Sequence, residues 1–384
     1  MKTIYYISRS YPEQFDTGGG ALMRQAQVNS FKSAGYNVVV VLPNYQNDKV
    51  EQTKDNILLT PYKINERLTY FLHGKGILEC YLSRWVKTTV NHLKNIVKKE
   101  DIVFATTGGE IGTLIIASEL KKHTQCKTVF NYHDPIAHTT VFGLSPSNEK
   151  TNLKKNQIEG KYLKNIDLIL TSSKLNKEAL LDKHNFLKPD KIQAIYFGYL
   201  KDLYASKNKL NKKTTIVYGC SFAPLQQPEL LIKAAREIED IEVVYIGNHQ
   251  NYAPIQLYKD DCTLLPAMSY EDYINYIQER ADIGFVALTD EYYGACVPSK
   301  IFEYLNIGLQ IIGALPNGDA MDIINQNNYG LSCHFNDVEQ LKKNIKQIVQ
   351  EKNIAKFKQH ILNDRTNWGM HYNSQKLLQL LSTL

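Results

Sequence analysis

Asp290-Glu-Tyr-Tyr-Gly-Ala-Cys-Val-Pro298-Ser-Lys-Ile-Phe-Glu303-Tyr-Leu-Asn-Ile-Gly308-Leu-Gln-Ile-Ile-Gly313 is the stretch on which the reading of this chain turns. Ahead of it, the apolar run Ile283 to Leu288 has the length and composition of a strand buried on both faces. A polar loop, Thr289 to Val297, leaves the carboxyl end of that strand, and Pro298 stands where a helix begins. Proline there fixes the first helical φ and gives up only an N–H that the helix leaves unbonded in any case. The spacing predicts free amides at Ser299, Lys300 and Ile301, a seat for phosphate. One turn further on, Glu303 falls near the face of Ser299 and Lys300, while Ile301, Phe302, Tyr304 and Leu305 are apolar. A carboxylate so placed can accept from two hydroxyls of a ribose. The same residues also describe an ordinary helix start with an exposed glutamate.

Working outward, a chain of 384 residues predicts two domains, each large enough for its own interior. The hydrophobic share of 43% is that of a soluble globular protein rather than a disordered one. A formal charge of +6 suits an anionic ligand or an anionic membrane surface and predicts no nucleic-acid partner, which would call for a denser basic patch. The six cysteines, Cys80, Cys126, Cys220, Cys262, Cys296 and Cys333, are scattered, without metal spacing, and read as reduced thiols of a cytoplasmic protein. No signal peptide is legible at the start, and no window approaches the roughly 20 apolar residues of a membrane span.

In the second half, strands are expected at Thr215 to Tyr218, Ile241 to Ile246, Thr263 to Leu265, Leu309 to Ile312 and Leu331 to His334, alternating with helices. Such repeated strand-helix units imply a parallel sheet covered on both faces. In the first half, strand Ile4 to Ile7, a loop ending in Gly18-Gly19-Gly20, an amphipathic helix and strand Tyr36 to Leu42 make a Rossmann-like unit. A dinucleotide fingerprint is absent, because the glycines should follow the strand at once. Further strands are expected at Ile102 to Ala105, Lys127 to Tyr132, Leu168 to Thr171 and Lys191 to Phe197. His133 and Asp134 close one of them, at the carboxyl edge where open α/β sheets bind ligands; a histidine satisfied by loop carbonyls fits the same place. Gly108-Gly109-Glu110 is a second amide-rich loop.

Ile77 to Lys99 keeps apolar residues at helical spacing, Trp85 among them, beside a stripe of Arg84, Lys87, Lys94 and Lys98. A surface helix with its apolar side in the core accounts for this, and so does a helix lying on an anionic membrane. Leu200 to Lys213 is basic, lacks periodicity and reads as an interdomain linker.

Pro-Ser-Lys-Ile-Phe-Glu-Tyr-Leu followed by Ile-Gly-Leu-Gln-Ile-Ile-Gly resembles the donor-site signature of GT-B glycosyltransferases of the family-4-like group, of the bacterial surface polysaccharide type. Tyr245-Ile246-Gly247, Pro266-Ala267-Met268 and Ala281-Asp282-Ile283 resemble further stretches of that group. The resemblance implies an α/β fold of two Rossmann-like domains facing across a cleft. Residues 1–200 would be the acceptor-side domain, 201–213 the linker, 214–362 the nucleotide-sugar domain and 363–384 a helix returning to the first domain. It implies transfer from a nucleotide diphosphate sugar, UDP-sugar favoured, to a glycan or lipid-linked acceptor, with retention, no cofactor and no metal. Pro298, Ser299, Lys300 and Ile301 would hold the phosphates, Glu303 the ribose, Gly247 and Met268 the base, Gly18, Gly19 and Gly20 would close over the phosphate, and His133 would meet the sugar. His133 and Lys300 are the expected catalytic residues. Peripheral contact with an anionic membrane, on the inner face, belongs to the same set of implications.

The match has gaps. A glutamate that many of the group carry ahead of the second one is Ala295 here, with Asp290 and Glu291 nearby; the loop Gly219 to Pro228 lacks the usual basic residues; and the usual Asn-Gly-Val-Asp is Phe197-Gly198-Tyr199-Leu200. A degenerate, non-catalytic GT-B subunit and a nucleotide-sugar epimerase are the alternatives.

Overall fold

The computed structural model describes residues 2–12, 19–54, 56–62, 66–75, 77–136, 149–204, 213–219 and 222–384. Apolar runs with no polar alternation can be satisfied only where helices cover both faces of a sheet, and the chain builds two such sheets, one in each of two units. Unit 1 comprises Met1–Tyr196 and Asn373–Leu384; unit 2 is Phe197–Tyr372.

Unit 1 contains strands β1 (Thr3–Ile7), β2 (Asn37–Asn44), β3 (Glu51–Gln52), β4 (Ile57–Pro61), β5 (Ile102–Gly108), β6 (Lys127–Asp134), β7 (Leu168–Thr171) and β8 (Ile192–Ala194). Their order is β3-β4-β2-β1-β5-β6-β7-β8, and every pair is parallel except β3 with β4. After β2 and β4 the chain returns to the other side of β1, so the connections diverge at β1 and β5 and leave a crevice at their carboxyl ends. One face of the sheet is covered in part by the helix Met370–Ser382: Leu377 and Leu381 are buried with Ile4, Tyr6, Val28 and Phe31, and Ser30 Oγ donates to Ser374 Oγ at 3.1 Å.

Unit 2 contains β9 (Thr214–Gly219), β10 (Ile241–Ile246), β11 (Thr263–Leu265), β12 (Ile283–Ala287), β13 (Gln310–Leu315) and β14 (Gly330–His334) in the all-parallel order β11-β10-β9-β12-β13-β14. Its switch point lies between β9 and β12. Residues at its amino end are tied down rather than free: Tyr199 exchanges backbone hydrogen bonds with Trp368 and Met370, and Tyr204 N donates to Asn306 Oδ1 at 3.2 Å. Of the expected linker, 205–212 lie outside the described residues.

Two features differ from expectation. The short run Ile57–Pro61 is a buried interior strand, its five residues too few to show a period among polar neighbours. The helix expected across Ile77 to Lys99 is confined to Ser83–Leu93. Its apolar stripe is spent internally: Trp85 is fully buried and its indole N–H donates to Thr60 Oγ1 at 2.8 Å, so this stripe is not a membrane-facing surface. Arg84 on the outer face pairs with Asp48. Among the described residues no helix is long and apolar enough to cross a membrane. Trp85→Ala is expected to destabilise unit 1 by about 3 to 5 kcal/mol, the usual loss for emptying an aromatic core site. Denaturant unfolding followed in unit 1 measures it, and a loss below about 1 kcal/mol would contradict the buried position.

Candidate functional site

The signature helix of unit 2 spans Ser299–Ile307 and starts, as its sequence requires, behind Pro298, whose φ of −59° and ψ of 131° turn the loop after β12 into the helix. Gly308, at φ +89°, stops it by a left-handed cap that a Cβ would strain. Ser299 is exposed, and Lys300 and Glu303 are half-buried on one face. Ile301 does not fit the phosphate role: its N–H donates to Pro298 O at 3.1 Å and its side chain is fully buried. The tight first turn consumes that donor.

Lys300 and Glu303 close on one another. Lys300 Nζ lies 2.7 Å from Glu303 Oε2 and 4.2 Å from the ring centre of Tyr273. Tyr273 in turn lies against the end of β9, where a Cβ on Gly219 would come within 2.1 Å of its ring; only glycine lets the tyrosine in. Lys300 is thereby carried to the switch point between β9 and β12. Burial, reinforced by the Glu303 charge, pushes the Tyr270 hydroxyl above its ordinary range. Gly247 follows β10 with φ +144° and its N–H bonded to Leu265 O, and half-buried Met268 follows β11. Cys220 and Ser221 of the expected phosphate loop lie outside the described residues.

The carboxylates near Ala295 are engaged elsewhere. Ala295 is 5% exposed and ends a 3-10 turn, Glu291–Ala295, that Asp290 caps by accepting from Tyr292 N at 2.9 Å. Glu291 is hydrogen-bonded to His334. Neither takes the place of the missing glutamate.

In unit 1, the helix Gly19–Ser33 begins with the glycine pair Gly19 and Gly20; Gly18 lies outside the described residues. His133 Nε2 lies 3.5 Å from the point where a Cβ on Gly20 would stand, so the start of this helix and the end of β6 meet. Burial, with the Arg24 guanidinium adding to it, holds the His133 imidazole down to about 3, and the ring is neutral at physiological pH. It can bond a hydroxyl but cannot act as an acid there. Asp134 is pushed up to about 6 by burial, against the pull of Arg24 and with the help of Glu110. Arg24 and Glu110 were not singled out from sequence as site residues. The available signal was a charge on a buried stripe, since Arg24 shares the inner face of its helix with Ala21, Val28 and Phe31. Among the described residues no group of three or more histidine, cysteine, aspartate or glutamate side chains is arranged to hold a metal ion.

Two open parallel sheets, each with a switch point, make this the GT-B fold, and solved structures share it across the whole chain. Anabaena HepE, in complex with UDP-glucose, is 13% identical with a TM-score of 0.69, each chain covered in full. Sucrose-phosphate synthase from Thermosynechococcus elongatus is 14% identical with a TM-score of 0.71, covering 100% of this chain and 99% of its own. The apo lipopolysaccharide outer core galactosyltransferase WaaB is 12% identical with a TM-score of 0.67, again with both chains covered in full. Residues 201–365 match the family model described as glycosyl transferases group 1. Residues 201–365 thus form a group 1 glycosyl transferase domain, and the chain as a whole has the GT-B fold. Among curated protein sequences none matches it.

The raised Asp134 fixes a sign. Its folded pKa of about 6 lies above the ordinary 3.8, so the fold opposes ionisation: the penalty is absent below the lower value, grows between the two and is full above the upper. Asp134→Asn is therefore expected to raise the thermal midpoint at pH 8, with the gain fading as the pH is lowered toward 4. A gain equal at both ends, read by calorimetry, would count against it.

Proposed function

We propose that this chain transfers a sugar from a nucleoside diphosphate sugar, UDP-sugar favoured, to a glycan or lipid-linked acceptor, with retention, in the manner of the family-4-like group and in the making of cell-surface polysaccharide. The observation that carries the reading is the helix Ser299–Ile307, which opens near the β9/β12 switch point with Lys300 and Glu303 side by side. The amides of Ser299 and Lys300 and the Lys300 ammonium hold the diphosphate, and Glu303, released from Lys300, accepts from the ribose hydroxyls. Gly247 and Met268 flank the base. His133, neutral, is a hydrogen-bonding group for sugar hydroxyls, and Gly19 and Gly20 serve the phosphate.

In the reaction the bond from the anomeric carbon to the phosphate oxygen breaks, the acceptor oxygen bonds to that carbon on the same face, and its proton passes to the leaving phosphate. Stabilising that phosphate is the main electrostatic task, and each well-placed donor supplies about 3 kcal/mol. No metal or cofactor enters this scheme. Support for a UDP-sugar comes from HepE, which was solved with UDP-glucose. A cytoplasmic protein working at the inner face of a membrane suits a lipid-linked acceptor.

A second reading, a GT-B subunit without catalysis, is favoured by one observation: Ala295 is buried, and Glu291 and Asp290 are committed elsewhere. Titration calorimetry with UDP, GDP, CMP, ADP and NAD separates the two. One nucleoside diphosphate is expected to bind, and Glu303→Ala to weaken it by about 1.5 to 3 kcal/mol, more than tenfold, through loss of charged hydrogen bonds to ribose. Binding that ignores Glu303→Ala, or no binding by any of the five, would favour the subunit.

A further inference from the structure

Among the described residues of unit 1, buried charges differ in how fully they are bonded. Glu159, 2% exposed, accepts from Tyr132 Oη at 2.8 Å, and its other oxygen lies 3.1 Å from His184 Nε2; Asp101, 4% exposed, accepts from the N–H groups of Thr3 and Lys98. Arg24 and Glu110 are as deeply set, at 7% and 6% exposed, yet Arg24 Nε and Glu110 Oε1 have no hydrogen-bond partner. Their other atoms are anchored: Arg24 Nη1 donates to Ser10 Oγ at 2.5 Å and Glu110 Oε2 accepts from Gly108 N at 3.0 Å. The two groups flank one spot, with Arg24 Nη2 3.0 Å and Glu110 Oε2 3.7 Å from where a Cβ on Gly108 would stand, and among the described residues no ion pair joins them. A buried charged group with a vacant hydrogen bond is unfavourable in a fold that needs only stability, and it points to a ligand.

The place and the chemistry narrow that ligand. Arg24, Glu110 and His133 gather at the carboxyl ends of β1, β5 and β6, beside the unit's switch point. One vacancy is a donor on a cation, the other an acceptor on an anion. A carboxylate or phosphate would satisfy Arg24 and meet repulsion from Glu110, and an ammonium would do the reverse. A hydroxyl both accepts and donates and carries no charge to be repelled. We propose that Arg24 and Glu110 form a hydroxyl-reading subsite in unit 1 that takes a neutral sugar residue and disfavours uronic acids and amino sugars. The inference rests on the glycosyl-transfer reading and makes these two residues determinants of its sugar specificity.

The test uses the full chain with UDP present. Methyl glucoside, methyl galactoside and methyl mannoside are compared with glucuronate and glucosamine by titration and saturation-transfer NMR, in wild type, Glu110→Gln and Arg24→Met. At least one neutral glycoside is expected to bind about tenfold or more tightly than either charged sugar, and each substitution to weaken it by about tenfold or more. The specificity should cross over: Glu110→Gln shifts preference toward glucuronate and Arg24→Met toward glucosamine. Without sugar, both variants should melt no lower than wild type, since each removes an incompletely bonded buried charge. No binding of any neutral glycoside, equal binding of charged and neutral sugars, an unchanged preference in both variants, or lower melting of both would overturn the proposal. Nucleotide binding in the same samples keeps the two levels apart: no binding of UDP or of any other nucleotide of the panel defeats the glycosyl-transfer reading, whereas nucleotide binding with sugar binding indifferent to Arg24 and Glu110 defeats this subsite alone.

Discussion

A parallel sheet can be extended from its first strand in two directions, and where the connections diverge no helix covers the carboxyl ends. Both units of this chain are laid out around such a divergence, at β1 and β5 in one and at β9 and β12 in the other. The constraint is topological before it is chemical, because right-handed crossovers can be laid on opposite faces only by leaving this gap. The polar groups that matter then collect at the two gaps. Arg24, Glu110, His133 and Asp134 lie at the first, and Lys300, Glu303 and Tyr273 at the second.

The second gap is electrically closed in the unliganded protein. Lys300 and Glu303 neutralise each other, so a ligand that engages both must separate a half-buried ion pair and replace each half of it. A phosphate for the lysine and a diol for the glutamate do so together, whereas either alone leaves one charge stranded. On the reading proposed above, the pair favours a molecule that carries both groups at the right separation. The first gap works in the opposite sense, with opposite charges near one spot and held short of contact.

Much of this was readable in the residues. Val38 to Leu42 and Ile283 to Leu288 are apolar on successive positions and could be little other than doubly covered strands. Pro298 and Gly308 mark the ends of the signature helix by backbone chemistry alone. What escaped depended on distant partners. Nothing local says that Trp85 turns inward to Thr60 or that Glu291 is held by His334, 43 residues away. Arg24 was hidden for a related reason: long cationic side chains on a helix are ordinarily solvated, and only the surrounding strands reveal that this one is not.

The terminal helix bears on how the molecule is made. Leu377 and Leu381 belong to the same core as Ile4 and Tyr6, the chain's first strand. A ribosome therefore delivers Met1–Tyr196 of unit 1 long before the helix that packs on its core, and part of one apolar face of the first sheet waits through the synthesis of all of unit 2. During that interval the nascent chain exposes a surface suited to chaperones and to aggregation alike. Completion of the last turn, rather than of either sheet, is the event that ends it.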